Sequence, residues 1–155
     1  MSVRNIIQAT FDEFGKASGG LKKSGSWYFR RPETIFVLNL QKSQYALRYY
    51  VNVALWLLAA GPADAPEPSH CHVQTRLEGL VPPAVHDRLT ALLDLDSPVD
   101  DEARRDELLS LLREHLLPIM EAASTLEALH SGEGQRFVKA SLVDGDGQRL
   151  LAAHT

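Results

Sequence analysis

The sequence is short of cysteine. Its 155 residues include a single one, Cys71, which excludes an internal disulfide and a cysteine-based zinc cluster. It lacks any apolar run of about 18 residues, so no segment reads as a membrane-spanning helix. Its first ten residues lack the basic-then-apolar layout of an export signal. No glycine-rich phosphate loop, Ser-His-Asp order or paired-carboxylate motif stands out. Basic residues are the minority, 16 against 20 acids, which argues against a nucleic-acid binder. What remains is ordinary for a globular chain: 45% hydrophobic and 23% charged residues. The length predicts one domain over residues 1–155, able to bury a full core without a metal or disulfide.

The charges are unevenly placed. Residues 16–48 hold seven basic side chains and one acid, Glu33, for a net of +6, whereas residues 61–127 hold fourteen acids and five arginines, for a net of −9. Such asymmetry marks either an interaction surface or two halves that attract each other within one fold.

Periodicity divides the chain. Val3, Ile6, Ile7, Phe11 and Phe14 recur at helical spacing, predicting a helix from residue 2 to about 17. Residues 22–31, 34–43, 48–58 and 70–79 alternate and are rich in β-branched and aromatic residues, predicting four strands. Between the last two lies a proline-rich segment, residues 61–68, read as a surface loop. From residue 85 the helical period returns. Ser97 is expected to cap a long helix with Pro98 at its first position, and Pro118 to kink it. Residues 137–153 read either as a last helix or as a turn around Asp144, Gly145, Asp146 and Gly147.

The strands can be placed in register. A tight turn at residues 31–34 opposes Phe29 to Phe36 and Trp27 to Leu38. A loop at 44–47 opposes Leu38 to Val53 and Leu40 to Val51. One face then carries Trp27, Phe29, Phe36, Leu38, Leu40, Val51, Val53 and Leu55, continued by Cys71, Val73 and Leu77 on strand four. A one-residue slip would mix this face with polar groups, so the register is specified. The fold class is α+β: an N-terminal helix, an antiparallel sheet of about four strands, then helices packed on one sheet face.

The opposite face is polar. Pairing of Val51 with Leu77 sets Ser26, Asn39, Asn52 and Arg76 in one cross-strand row, with Gln41, Tyr50 and Glu78 in the next and His72 beyond. Asparagine is a poor strand residue, so two opposed asparagines in mid-strand need a reason. The row is a solvated face, a recognition surface, or a network buried under the C-terminal segment.

The run Asn39-Leu40-Gln41-Lys42-Ser43, followed by Tyr49-Tyr50-Val51-Asn52-Val53, resembles the bacterial family called domain of unknown function 4304. Gly25 to Tyr28 before it and Cys71-His72-Val73 with Arg76-Leu77-Glu78 after it extend the resemblance over residues 6–129. Ala54 departs from the pattern, standing where glycine is expected. The resemblance implies a bacterial, cytoplasmic, stand-alone domain and carries no activity over.

Metal chemistry has little to stand on. His70 and His72 share a strand face, with Glu78 as the nearest third group, but no carboxylate from neighbouring strands completes a set, so no metal or cofactor is expected. Cys71 turns towards the apolar face and is expected to be inert. The reading favoured is a non-enzymatic domain, immunity-type or regulatory, that holds a protein partner through Asn39, Gln41, Tyr50, Asn52, His72, Arg76 and Glu78. The alternative is an enzyme, possibly hydrolytic, at the same face; no catalytic residue can be assigned and no oligomeric state follows.

Overall fold

The computed structural model describes residues 4–154. The first helix, α1 (Ile6–Ala17), starts where Asn5 caps it: the Asn5 side chain accepts from the Gln8 amide and the Gln8 side chain accepts from the Asn5 amide. The helix expected from residue 2 is thus shorter, and Ser2 and Val3 lie outside the described residues. α1 buries Ile7, Phe11 and Phe14.

Next comes a meander. β1 (Leu21–Lys23), β2 (Ser26–Arg30), β3 (Thr34–Lys42), β4 (Tyr49–Leu57), β5 (Val73–Arg76) and β6 (Leu142–Val143) form one antiparallel sheet in chain order. The sheet has six strands where about four were expected. One addition comes from the segment 22–31, which folds back on itself. Ser24 and Gly25 both have positive φ, 51° and 80°, the signature of a two-residue hairpin turn. The other, β6, arrives from the C-terminal segment and pairs only with Val73 and Gln74.

The expected register holds through the centre. Phe29 faces Phe36, Trp27 faces Leu38, Leu38 faces Val53 and Leu40 faces Val51. Asn52 faces Arg76, but β5 ends there, so Leu77 enters a single 3-10 turn (Leu77–Leu80) instead of pairing with Val51.

The helical layer is α2 (His86–Leu92), α3 (Asp101–Leu111), α4 (Leu117–Ala122), α5 (Gly132–Lys139) and α6 (Gly145–Ala152). Its leucines, with Ile119, Met120 and Phe137, join α1 and the apolar sheet face in one buried cluster. Asp100, not Ser97, caps α3, accepting from the Ala103 amide. Between α3 and α4 the helix widens into a π-turn, Leu112–Leu116, directly before Pro118. Proline lacks an amide and crowds the carbonyl four residues back, and the wider turn accommodates both, so the expected kink is a π-bulge. The C-terminal segment resolves into two helices with β6 between them, and Asp144 caps α6 through the Gly147 amide.

Arg104 is 2% exposed yet forms no ion pair among the described residues; its guanidinium donates to the carbonyls of Ala91, Leu92, Asp94, Ser97 and Val99. One side chain thereby closes the end of α2 and the loop to α3, where a positive charge also suits the helix dipole. Among the described residues, no helix is long and apolar enough to cross a membrane.

Candidate functional site

The second sheet face is half apolar, which corrects the expectation of a wholly polar one. Ile35, Val37, Ala54 and Cys71 are buried in a separate cluster, flanked by Tyr28, Trp56, Leu58 and Ala63. The proline-rich segment covers them. Trp56 Nε1 donates to the Gly61 carbonyl at 2.9 Å, Arg30 to that of Ala63 at 3.0 Å, and Gln74 Nε2 to those of Ser69 and Cys71. Cys71 therefore sits on this face, not the helical one: the chain makes a 3-10 turn at Pro68–His70 and enters β5 only at Val73, so strand alternation does not extend back to it. Ala54, the departure from the glycine pattern, places its methyl in this cluster.

The uncovered half is a groove of about 670 Å³. Its floor is Ser26, Asn39, Gln41 and Asn52; Lys23 and Ser24 of the first hairpin form one wall, and Ala65, Glu67, Pro68 and Ser69 the other. A second groove of about 420 Å³, lined by Arg76, Lys139 and Ser141 among others, shares Asn52, Gln74 and Thr75 with the first.

The floor is a ladder of amides. Arg76 Nε donates to Asn52 Oδ1 at 3.4 Å; Asn52 Nδ2 donates to Asn39 Oδ1 and Gln41 Oε1, both at 2.9 Å; Asn39 Nδ2 donates to Ser26 Oγ at 2.9 Å. Its direction has a physical cause. A guanidinium only donates, so the Asn52 oxygen turns to Arg76, its nitrogen turns to Asn39, and the sense propagates to Ser26. Ser26 is buried, the asparagines half-buried and Gln41 exposed. The row expected across the strands is therefore present, as a linked network that still reaches the surface.

Tyr50 supports the end of this row. The Arg76 guanidinium carbon lies 4.4 Å and that of Arg48 5.2 Å from the centre of its ring, and Arg48 Nη2 donates to its hydroxyl at 2.8 Å.

Two of the expected residues lie elsewhere. His72 is 4% exposed, its Nδ1 accepts from the Leu57 amide at 2.9 Å, and its ring packs against Trp56. Burial, only partly opposed by the Asp144 carboxylate, holds it below the usual imidazole range. It is a structural acceptor, because strand β4 ends beside it and Leu57 needs a partner. Glu78 falls in the 3-10 turn after β5, outside the strand row. His70 is exposed, with its Nδ1 3.9 Å from a Glu67 carboxylate oxygen. No three His, Cys, Asp or Glu side chains gather as metal ligands among the described residues. Burial, with Asp144 adding to it, pushes the Cys71 thiol up to about 12.

Lys23, Glu67, Ser69 and Lys139 were missed. The Ser24-Gly25 dipeptide signalled the turn that brings Lys23 to the groove. The wall is signalled more indirectly, by the apolar runs Ile35 to Leu38 and Val53 to Leu58, which are too continuous for a sheet wet on one side.

A family model described as Domain of unknown function (DUF4304) matches residues 14–122, more than two thirds of the chain. No curated protein and no solved structure matches it significantly.

Proposed function

We propose, for a chain that belongs to the DUF4304 family, that the groove over the amide ladder is a recognition site for a protein partner and that the domain works by binding, not by catalysis. The observation that carries this reading is the ladder itself. Four strands place polar side chains in one row, and the ladder fixes their direction while leaving them within reach of solvent. Fixed, half-buried amides present donors and acceptors at low entropic cost, which is what binding needs. The titratable groups lining the larger groove are Lys23, Tyr28 and Glu67, a set with no base placed against a nucleophile. The setting we propose is a bacterial cytoplasm, where a lone buried thiol stays reduced.

Affinity capture from the organism that expresses the chain tests this. The wild-type protein is expected to retain a partner that the folded Asn39→Ala, Asn52→Ala double variant loses. Equal capture by both would refute the site, and turnover of a captured molecule would refute the binding-only role.

A further inference from the structure

We infer that the occupant of this groove is an acidic, extended segment of the partner, lying across the strands from β5 to β1 with a carboxylate near each end. The inference rests on the binding role proposed above and names the chemistry of what is bound.

Charge is the first argument. The fully charged side chains lining the two adjoining grooves are Lys23, Arg76, Lys139 and one acid, Glu67. The acids concentrate in the helical layer on the other side of the sheet, as at Asp101, Glu102, Asp106 and Glu107 of α3. The net charge of −4 therefore hides a cationic groove. Elsewhere on the surface Arg88, Arg105, Arg136 and Arg149 each face a carboxylate, whereas Arg30, Arg31 and Arg113, like the groove cations, form no ion pair among the described residues. Among the described residues, Lys23, Arg76 and Lys139 have no carboxylate partner within ion-pair distance.

Arg76 is also held ready. Stacking on Tyr50 fixes the plane of its guanidinium, and the bond to Asn52 uses only Nε. Both terminal nitrogens stay available as a fork that matches a carboxylate. Between the charged ends the floor suits main chain. The ladder leaves Gln41 Nε2 and one Asn39 N–H as donors, and Gln74, whose nitrogen is engaged by the loop, presents its oxygen.

The register sets a length. Arg76, Asn52, Asn39 and Ser26 lie on four successive strands, and Lys23 pairs with Ser26 on a fifth. Four strand spacings of about 4.8 Å make roughly 19 Å, which an extended chain at about 3.3 Å per residue crosses in about six residues. The two carboxylates are therefore five or six positions apart.

The probe is a fluorescein-labelled hexapeptide, Glu-Gly-Ser-Gly-Ser-Glu, followed by anisotropy at about 20 mM salt, with a glutamine-ended twin and an oligodeoxythymidylate for comparison. Saturable binding is expected, at least about tenfold weaker for the twin and about tenfold weaker for Arg76→Gln, the loss of roughly one charged contact. Arg88→Gln, on the helical side, is expected to bind as wild type. Circular dichroism checks that Arg76→Gln is folded; if the fold is lost, Lys23→Gln takes its place with the same expectation. Absent binding, equal binding of the twin, equal loss in Arg88→Gln, or tighter binding of the oligonucleotide would overturn the inference. If the peptide fails while capture still depends on Asn39 and Asn52, the acidic occupant is wrong and the binding role stands; failure of both removes the role too.

Discussion

Replacing Asn52 separates the structural worth of the ladder from its use. Asn52→Ala deletes three hydrogen bonds: two donated at 2.9 Å and one accepted from Arg76 at 3.4 Å. The long, exposed bond from Arg76 contributes little. Gln41 is exposed, so water replaces its lost donor. The bond to Asn39 is half-buried, and its loss frees Asn39 to swing away from the buried Ser26 hydroxyl. The sum is about 1–2 kcal/mol, against roughly 5–15 kcal/mol of total stability expected for a domain of this kind. The variant therefore stays folded. Asn52→Asp should behave differently. The new carboxylate accepts from Arg76, and the ladder reverses if Asn39 flips, since the Ser26 hydroxyl can donate as well as accept. Its stability at neutral pH is expected within about 0.5 kcal/mol of wild type, the size typical of tolerated surface changes, while its negative charge should abolish binding of the acidic hexapeptide. Urea melts followed by tryptophan fluorescence, with the denaturant slope unchanged, give both values. A loss below about 0.5 kcal/mol for Asn52→Ala would mean that the ladder does not form in solution, and one above about 3 kcal/mol that it is a buried structural network with no surface role.

Arg104→Met should cost about 2–4 kcal/mol, because the carbonyls of Leu92 and Val99 lose the guanidinium while those of Ala91, Asp94 and Ser97 keep backbone donors, and a loss under about 1 kcal/mol in the same melts would refute its organising role. His72 titrates near 6.5 when unfolded and lower when folded, so the unfolded chain binds the extra proton and stability falls as pH drops below about 6.5. His72→Asn, which keeps an acceptor for the Leu57 amide, should flatten that part of the pH profile, and an unchanged slope would assign it to other groups. The native Cys71 thiol should resist alkylation at pH 8 until the protein is denatured; rapid modification of the folded chain would contradict its burial.

Much of this was legible in the sequence, and for identifiable reasons. Strand register follows from period-two patterning anchored by large residues: Trp27, Phe29, Phe36 and Leu38 set Ser26 beside Asn39, Leu38 and Leu40 against Val53 and Val51 add Asn52, and β5 adds Arg76. The failures share a different cause. Alternation stops at the ends of β5: Cys71 lies in the bend after the 3-10 turn Pro68–His70 and Glu78 within the turn Leu77–Leu80, so parity gives the wrong face for one and the wrong row for the other. The proline-rich segment reads as a surface loop, yet the apolar residues Ile35, Val37, Ala54 and Trp56 on the face expected to be wet require the cover it supplies. Arg104 was invisible because nothing local distinguishes an arginine that reaches back to a helix end from one in water.

The most direct test of the central claim is photo-crosslinking in the cells that express the chain. A benzophenone amino acid is placed at Gln41, on the groove floor, or at Glu102, on the outer face of α3, both exposed positions. One discrete protein adduct is expected from position 41 that position 102 does not give and that disappears with Asn52→Asp. The same adducts from both positions, or none from position 41 where position 102 captures a partner, would contradict the claim.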